Sequence, residues 1–540
     1  MWNLSAKLKR SETTLYEMNR RSPTPYSQTD IINRIQELAD SGEPATIPAI
    51  ASGLFSPSKA IRETSSAAVR ELVPLVPGEQ LGRLSELLGR DAYAYRYLSP
   101  TWDRVQPRYV KNHLAETKNV AVAGLLSLHK NGFVREVAVR FLASCQTGQE
   151  IPFLLLRQND WVNSISEQAE RICLEKLSSE YLVHFAREID LIFHLLECKR
   201  RDLSKMVEQF VDLLVAPINR ANLKDTVNCC SGKHGRTLVS YLLDRKGDHL
   251  ADTIRAGIDC QDMLVRAKCT RHADDHLTRA ECEALVDHLI SDKFASVRQE
   301  AYELKARLFP DRSNRIWKHC LFDKRRSLRE TAIFYLQKAN HDVAVLCRDR
   351  LSRDRNNLPA LSGLSSTGDT ADLEILLGYL AAPFASRRAE AIRGIGRIGS
   401  KTDLIKLQTL LLDESTRVVR ATHQQLQSIA MSIDSDRLFE LIKKCNTLVG
   451  RRVILELLMQ QGRWRSLSYL IEASASSDQE LTRLSKESIS STFSFNRNFT
   501  QPSPTQKQQI QQAIDSAQPS WDADFTQELR RCLSSFGFTF

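Results

Sequence analysis

Val297-Arg298-Gln299-Glu300-Ala301, closed by Leu304, and Leu328-Arg329-Glu330-Thr331-Ala332, closed by Leu336, decide how this chain is read. Each opens on an aliphatic residue, follows it with arginine and sets alanine four positions on. That spacing gathers the apolar positions on one helical face. The pattern continues in both directions. Val265-Arg266 leads to Cys269, Asn356 to Ala360 and Leu364, Arg387-Arg388 to Ala391 and Ile395, and Val418 to Thr422 and Leu426. The starting positions 265, 297, 328, 356, 387, 418 and 449 are 32, 31, 28, 31, 31 and 31 residues apart. Upstream the register lands on His234, with Leu238 and Leu242, and on Leu203, with Val207 and Val211. A near-constant period of this length marks stacked supersecondary units.

A second apolar face precedes each of these segments. Leu373, Leu376, Leu377 and Leu380 lie ahead of 387, and Leu404, Leu407, Leu410 and Leu411 lie ahead of 418, both at helical spacing. Gly368, Gly396 and Gly399 fall where a helix end often needs a left-handed residue. Asp372 and Asp403 fall where N-caps are expected. One unit is therefore helix, tight turn, helix, short turn. A lone hairpin cannot bury its apolar faces, and stacking on neighbours can. Ala301 and Ala332 mark the close crossing of the two helices within a unit.

The run Gly394-Ile395-Gly396-Arg397-Ile398-Gly399, with Asp403-Leu404, Leu410 to Ser415 and Val418-Val419-Arg420-Ala421, resembles the HEAT-like repeats of bacterial scaffolds and bilin lyases. The resemblance covers roughly residues 203 to 490. It implies an all-α fold, a right-handed α-solenoid of stacked HEAT-like hairpins with a period of about 31 residues. HEAT units also carry an Asp and an Arg six residues apart. Asp292 with Arg298 and Asp323 with Arg329 match, and these four are expected to form a structural ladder along the stack. The unit at 418 departs, because Val419 stands where the arginine would be. Ile61-Arg62-Glu63 and Val134-Arg135-Glu136-Val137-Ala138 look similar, at irregular spacing. The expected organisation is an N-terminal arm over 1–29, irregular HEAT-like repeats over 30–202 and a regular array over 203–492. A polar linker and helices that cap the array follow over 493–540.

Composition agrees with such a chain. Of 540 residues, 42% are hydrophobic and 26% charged, which suffices for a large core, while Gly (21) and Pro (17) are scarce. No apolar run is long enough for a membrane span, so no membrane insertion is expected. Met1 to Arg10 lacks the apolar stretch of a secretory signal. The 12 cysteines show no C-x-x-C spacing and read as reduced thiols. A cytoplasmic protein is the expectation.

The formal charge is +10, and residues 381–470 hold 15 Lys and Arg against 8 Asp and Glu. Arg387, Arg451, Arg452, Arg325 and Arg326 are the candidate binding residues for an acidic or phosphate-bearing partner. No catalytic residues are expected: the chain has no phosphate-loop, H-E-x-x-H or G-x-S-x-G motif. None of its 12 histidines precedes Glu, which excludes the iron-binding dipeptides of deoxyhypusine hydroxylase. Cys260, Cys269, His272, His276, Cys282 and His288 could in principle supply zinc ligands, but Cys269 takes the small core position of Ala301 and Ala332. Neither metal nor cofactor is expected. The first functional reading is a non-catalytic scaffold that holds a protein partner on the concave surface lined by the second helices. The second is nucleic-acid binding through the basic 381–470 region. Behind both stands a HEAT-like enzyme, such as a DNA glycosylase or a bilin lyase.

Overall fold

The computed structural model describes residues 27–90, 102, 105–198, 200–494 and 500–540. Almost all of the expected arm over 1–29 lies outside these residues. α-Helices and short 3-10 turns make up the regular structure, with no strand among the described residues. The chain divides into two compact units, Met1–Leu308 and Phe309–Phe540. Each is a stack of HEAT-like antiparallel helix pairs, so the all-α, solenoid-type class is the one observed.

In the N-terminal unit, Val120–Ser127 pairs with Gly132–Ser144, Ile151–Arg157 with Asn163–Lys176, Leu250–Asp259 with Met263–Arg271, and Arg279–Leu289 with Ala295–Leu308. Second helices also pack on second helices, as Met263–Arg271 does on Ala295–Leu308. In the C-terminal unit, Arg326–Lys338, Leu358–Thr367, Ala385–Ile398, Thr416–Leu426, Leu448–Gln460 and Gln479–Ser494 form one continuous series of second helices. The helices Pro504–Ala517 and Ala523–Leu533 close its end. Ile510, Ile514, Phe525, Leu529 and Leu533 join the same apolar core as Leu455, Leu458 and Leu470. Each such side chain contributes about 1.5–3 kcal/mol by leaving water.

The close crossing within a hairpin depends on small residues. Ala301, Ala332 and Ala391 are completely buried. Two hairpins use a thiol against a glycine instead. A Cβ at Gly257 would lie 2.2 Å from Cys269 Sγ, and one at Gly363 would lie 2.4 Å from Cys347 Sγ. Those two thiols fit only because the facing helix has no side chain there.

Three local expectations change. Gly368 and Gly399 have φ of −60° and −73°, so neither supplies a left-handed turn. What excludes a side chain is the preceding turn: a Cβ would sit 2.7 Å from Leu364 O and 2.6 Å from Ile395 O. Asp403 is the third-position partner in a capping box whose cap is Ser400, while Asp372 plays that part for Asp369 and also stands at the N-cap of Leu373–Leu377, without a side-chain cap bond there. The helix ahead of 418 is also broken, α over Lys401–Lys406 and 3-10 over Leu407–Leu412, though Leu404, Leu407 and Leu411 are buried as their spacing requires.

Candidate interaction surface

Arginines near the start of the second helices are sorted by what they touch. Arg135 sends Nη1 back to the carbonyls of His129 and Lys130, at 3.1 and 3.0 Å, closing its own turn. Its Nε and Nη2 reach forward to Asp160 at 2.8 and 2.9 Å. The same two-way grip recurs at Arg266, which holds Cys260 O and Gln261 O and reaches Asp292 at 3.1 Å. Arg388 holds Ala382 O and Pro383 O and reaches Asp413 at 2.8 Å. Arg236 reaches Asp262 at 2.8 Å. Each receiving aspartate also takes a backbone N–H two residues on, as Asp160 does from Val162 and Asp413 from Ser415. The short side chain thus fixes the turn that presents it.

Asp292 gives its carboxylate to Arg266 of the preceding hairpin, while Arg298, six residues on, donates to the Asp292 and Lys293 carbonyls. Arg329 likewise holds Asp323 O and Lys324 O, then meets Ser362 Oγ at 3.1 Å in place of a carboxylate. Burial alone would raise the Asp160 pKa. Hydrogen bonds from Arg135 and the Val162 N–H, with the charges of Arg157 and Arg135, outweigh burial and hold it below the usual range. Glu188, in the same unit, goes the other way. Burial first, then the charges of Glu79 and Asp190, push its carboxyl up to about 7.

The five candidate binding arginines meet different fates. Arg451 joins the rungs, donating to Cys445 O at 2.7 Å and to Asp478 at 2.6 Å. Arg387 donates to Asn356 O at 2.9 Å and lies over the Phe384 ring at 4.4 Å. Arg326 pairs with Glu330 on its own helix. Arg325 and Arg452 are exposed. Arg452 has no side-chain partner among the described residues, and the same holds for Arg417 and Arg420 on the adjacent helix Thr416–Leu426. His423 Nε2 and Glu456 Oε2, one turn beyond Arg420 and Arg452, are 3.5 Å apart. Arg420 and Arg452 therefore flank one seam between the two helices.

The Cys and His residues between 260 and 288 do not converge as a metal-ligand group. Cys260, Cys269 and Cys282 are buried, His272 faces Asp275, and burial pushes the Cys269 thiol up to about 12. Of the adjacent thiols Cys229 and Cys230, the first is exposed and the second buried. No described helix is long and apolar enough to cross a membrane.

Against solved structures, the chain is similar to the C-terminal fragment of the Chaetomium thermophilum cohesin loader SCC2, at 10% identity and a TM-score of 0.26 over 87% of this chain and 43% of that one. It is similar to a mutant of Kap121p, at 12% identity and 0.23, over 98% and 58% of the two chains. It is also similar to the Tumor Overexpressed Gene domain arrays by which microtubule polymerases recruit and assemble tubulin, at 11% and 0.17, over 79% and 96%. The chain spans about half the length of the first two. No family model and no curated protein matches. The hairpin class of this chain rests on its own packing and its Arg–Asp rungs.

Proposed function

We propose that this chain is a non-catalytic interaction scaffold that binds a protein partner on the face formed by its second helices, and that the partner presents an acidic segment to Arg417, Arg420 and Arg452. The sorting of arginines carries the reading. Arg388 and Arg451 are neutralised by Asp413 and Asp478, while Arg417, Arg420 and Arg452 on the same series of helices have no side-chain partner among the described residues. Arg417 stands in the first turn of Thr416–Leu426, where the positive end of the helix dipole disfavours a cation. A cation there gains nothing for the helix, and an acidic ligand removes the penalty. Long continuous helical surfaces suit binding of an extended partner.

The test is affinity capture from native lysate with the wild-type chain and with Arg417→Glu, Arg420→Glu and Arg452→Glu combined, circular dichroism confirming that the helices persist. A stoichiometric protein held by the wild type and lost by the variant is expected. Recovery of nucleic acid alone, released steeply by salt, would establish the nucleic-acid reading instead. Equal recovery of the same protein by both chains would remove the arginines from the site.

A further inference from the structure

Three side chains of the N-terminal unit converge away from the Arg–Asp rungs. His194 lies in the last turn of the helix Ile189–Leu196, and Glu197 caps its end. Three residues apart, they share a helix face. His234 comes from the first turn of Gly232–Asp244, the helix packed against it. One ligand atom from each of the three lies within 4.8 Å of the others. His234 Nε2 and Glu197 Oε1 are 4.0 Å apart.

The bonding of His234 gives the cluster its character. Its Nδ1 faces Asp190 Oδ1 at 3.2 Å, which places the ring proton on Nδ1, donated to the carboxylate. Nε2 then bears the lone pair, is buried, and has no hydrogen-bond partner among the described residues. A buried acceptor left unsatisfied costs about 1–3 kcal/mol. A carboxylate that holds the far side of an imidazole, fixing its tautomer and aiming the other nitrogen, is what metal-ligating histidines use. Two imidazoles with one carboxylate suit zinc-class ions, whereas calcium and magnesium favour all-oxygen sets.

We propose that His194, Glu197 and His234 form a site for one divalent transition-metal ion of the zinc class, oriented by Asp190, with a fourth position open to solvent or to a ligand. Bonds of about 2.0–2.1 Å in a tetrahedron set ligand atoms roughly 3.4 Å apart. His194 and Glu197 are both exposed and close that difference by side-chain rotation. Lys233 pairs with Glu197, and its side chain is 69% exposed, so its ammonium moves into solvent as the ion enters. Lys233 is thereby a built-in competitor for Glu197.

Zinc chloride titrated calorimetrically into the full chain tests this, with cobalt absorption reporting the ligand type. One ion per chain is expected, with bands from nitrogen and oxygen ligands and none from thiolate. Binding disappears in His194→Ala and in His234→Ala, weakens about 10-fold in Asp190→Asn, and tightens in Lys233→Met. His194 is exposed, so its variant retains the fold, which circular dichroism checks. Zinc binding that survives both histidine variants, thiolate-to-cobalt bands, or no binding up to millimolar zinc would each overturn the proposal.

Discussion

Arg135 and Asp160 in the N-terminal unit hold the same step of the hairpin repeat as Val419 and Cys445 in the C-terminal unit, 25 and 26 residues apart. The first pair is a charged rung with side chains 2% and 0% exposed. The second pair is buried to 1% in a continuous apolar core with Leu426, Leu441 and Ile454. Both hairpins stack, so the rung is not what drives stacking. The apolar pair gives up two charges that would need desolvation and gains contact area. The charged pair closes its own turn and joins the next, which an aliphatic side chain cannot do. A rung therefore adds register to a stack whose energy comes from burial.

The comparison breaks most sharply at Asp160. Asp160→Ala leaves the buried Arg135 and the largely buried Arg157 without their carboxylate and should cost about 3–5 kcal/mol in urea denaturation, whereas Arg135→Met and Arg157→Met together with Asp160→Leu should recover most of that loss. An Asp160→Ala chain as stable as wild type would make the rung ornamental. In the other unit, Val419→Arg alone buries an unpaired charge and should cost about 2–4 kcal/mol. Adding Cys445→Asp should restore at least half, because Asp413 O and Glu414 O stand where a ladder arginine finds its carbonyls. A double variant no better than the single would show that the two steps are not equivalent.

Two carboxyls of the N-terminal unit bend stability in opposite directions with pH. Glu188 has a folded pKa of about 7 against an ordinary 4.5. The folded chain holds the extra proton, so stability falls as pH rises between those values, by roughly 3 kcal/mol. Glu188→Gln should flatten that slope in melting curves. Asp160 has a lowered folded pKa, so its contribution is present above the ordinary carboxylate range and is lost as pH falls through the folded value. The smallest effect belongs to Arg451. Its partner Asp478 is 40% exposed, so Arg451→Met should cost only about 1 kcal/mol by thermal melting.

The hairpin rhythm was readable at Ala301 and Ala332, because an alanine-sized position facing the crossing repeats there visibly. Cys269 and Cys347 were harder, since a thiol fits only opposite Gly257 or Gly363, which lie on the facing helix. Partners across hairpins were less legible still. Asp292 and Arg298 are neighbours by spacing, yet Asp292 takes its arginine from the hairpin before. Arg451 carried the same charge as Arg452 in the sequence, and only the position of Asp478 separates them. His194 and Glu197 share a face by their spacing alone, but nothing local ties them to His234, 40 residues downstream.

Asp292 receives Arg266 and lies six residues ahead of Arg298, and Asp413 receives Arg388 six residues ahead of Val419. The hairpin of Asp262 and Arg266 carries both halves of a fastener, one facing each neighbour, since Asp262 receives Arg236 and Arg266 reaches Asp292. A gene that duplicates or deletes one whole period leaves every such fastener matched. A change of partial length strands a buried arginine or a buried aspartate and exposes the product to loss. Arg329, which meets Ser362 rather than a carboxylate, shows the alternative: a neutral partner leaves no buried carboxylate to strand. Chains of this kind should differ from their descendants by whole hairpins.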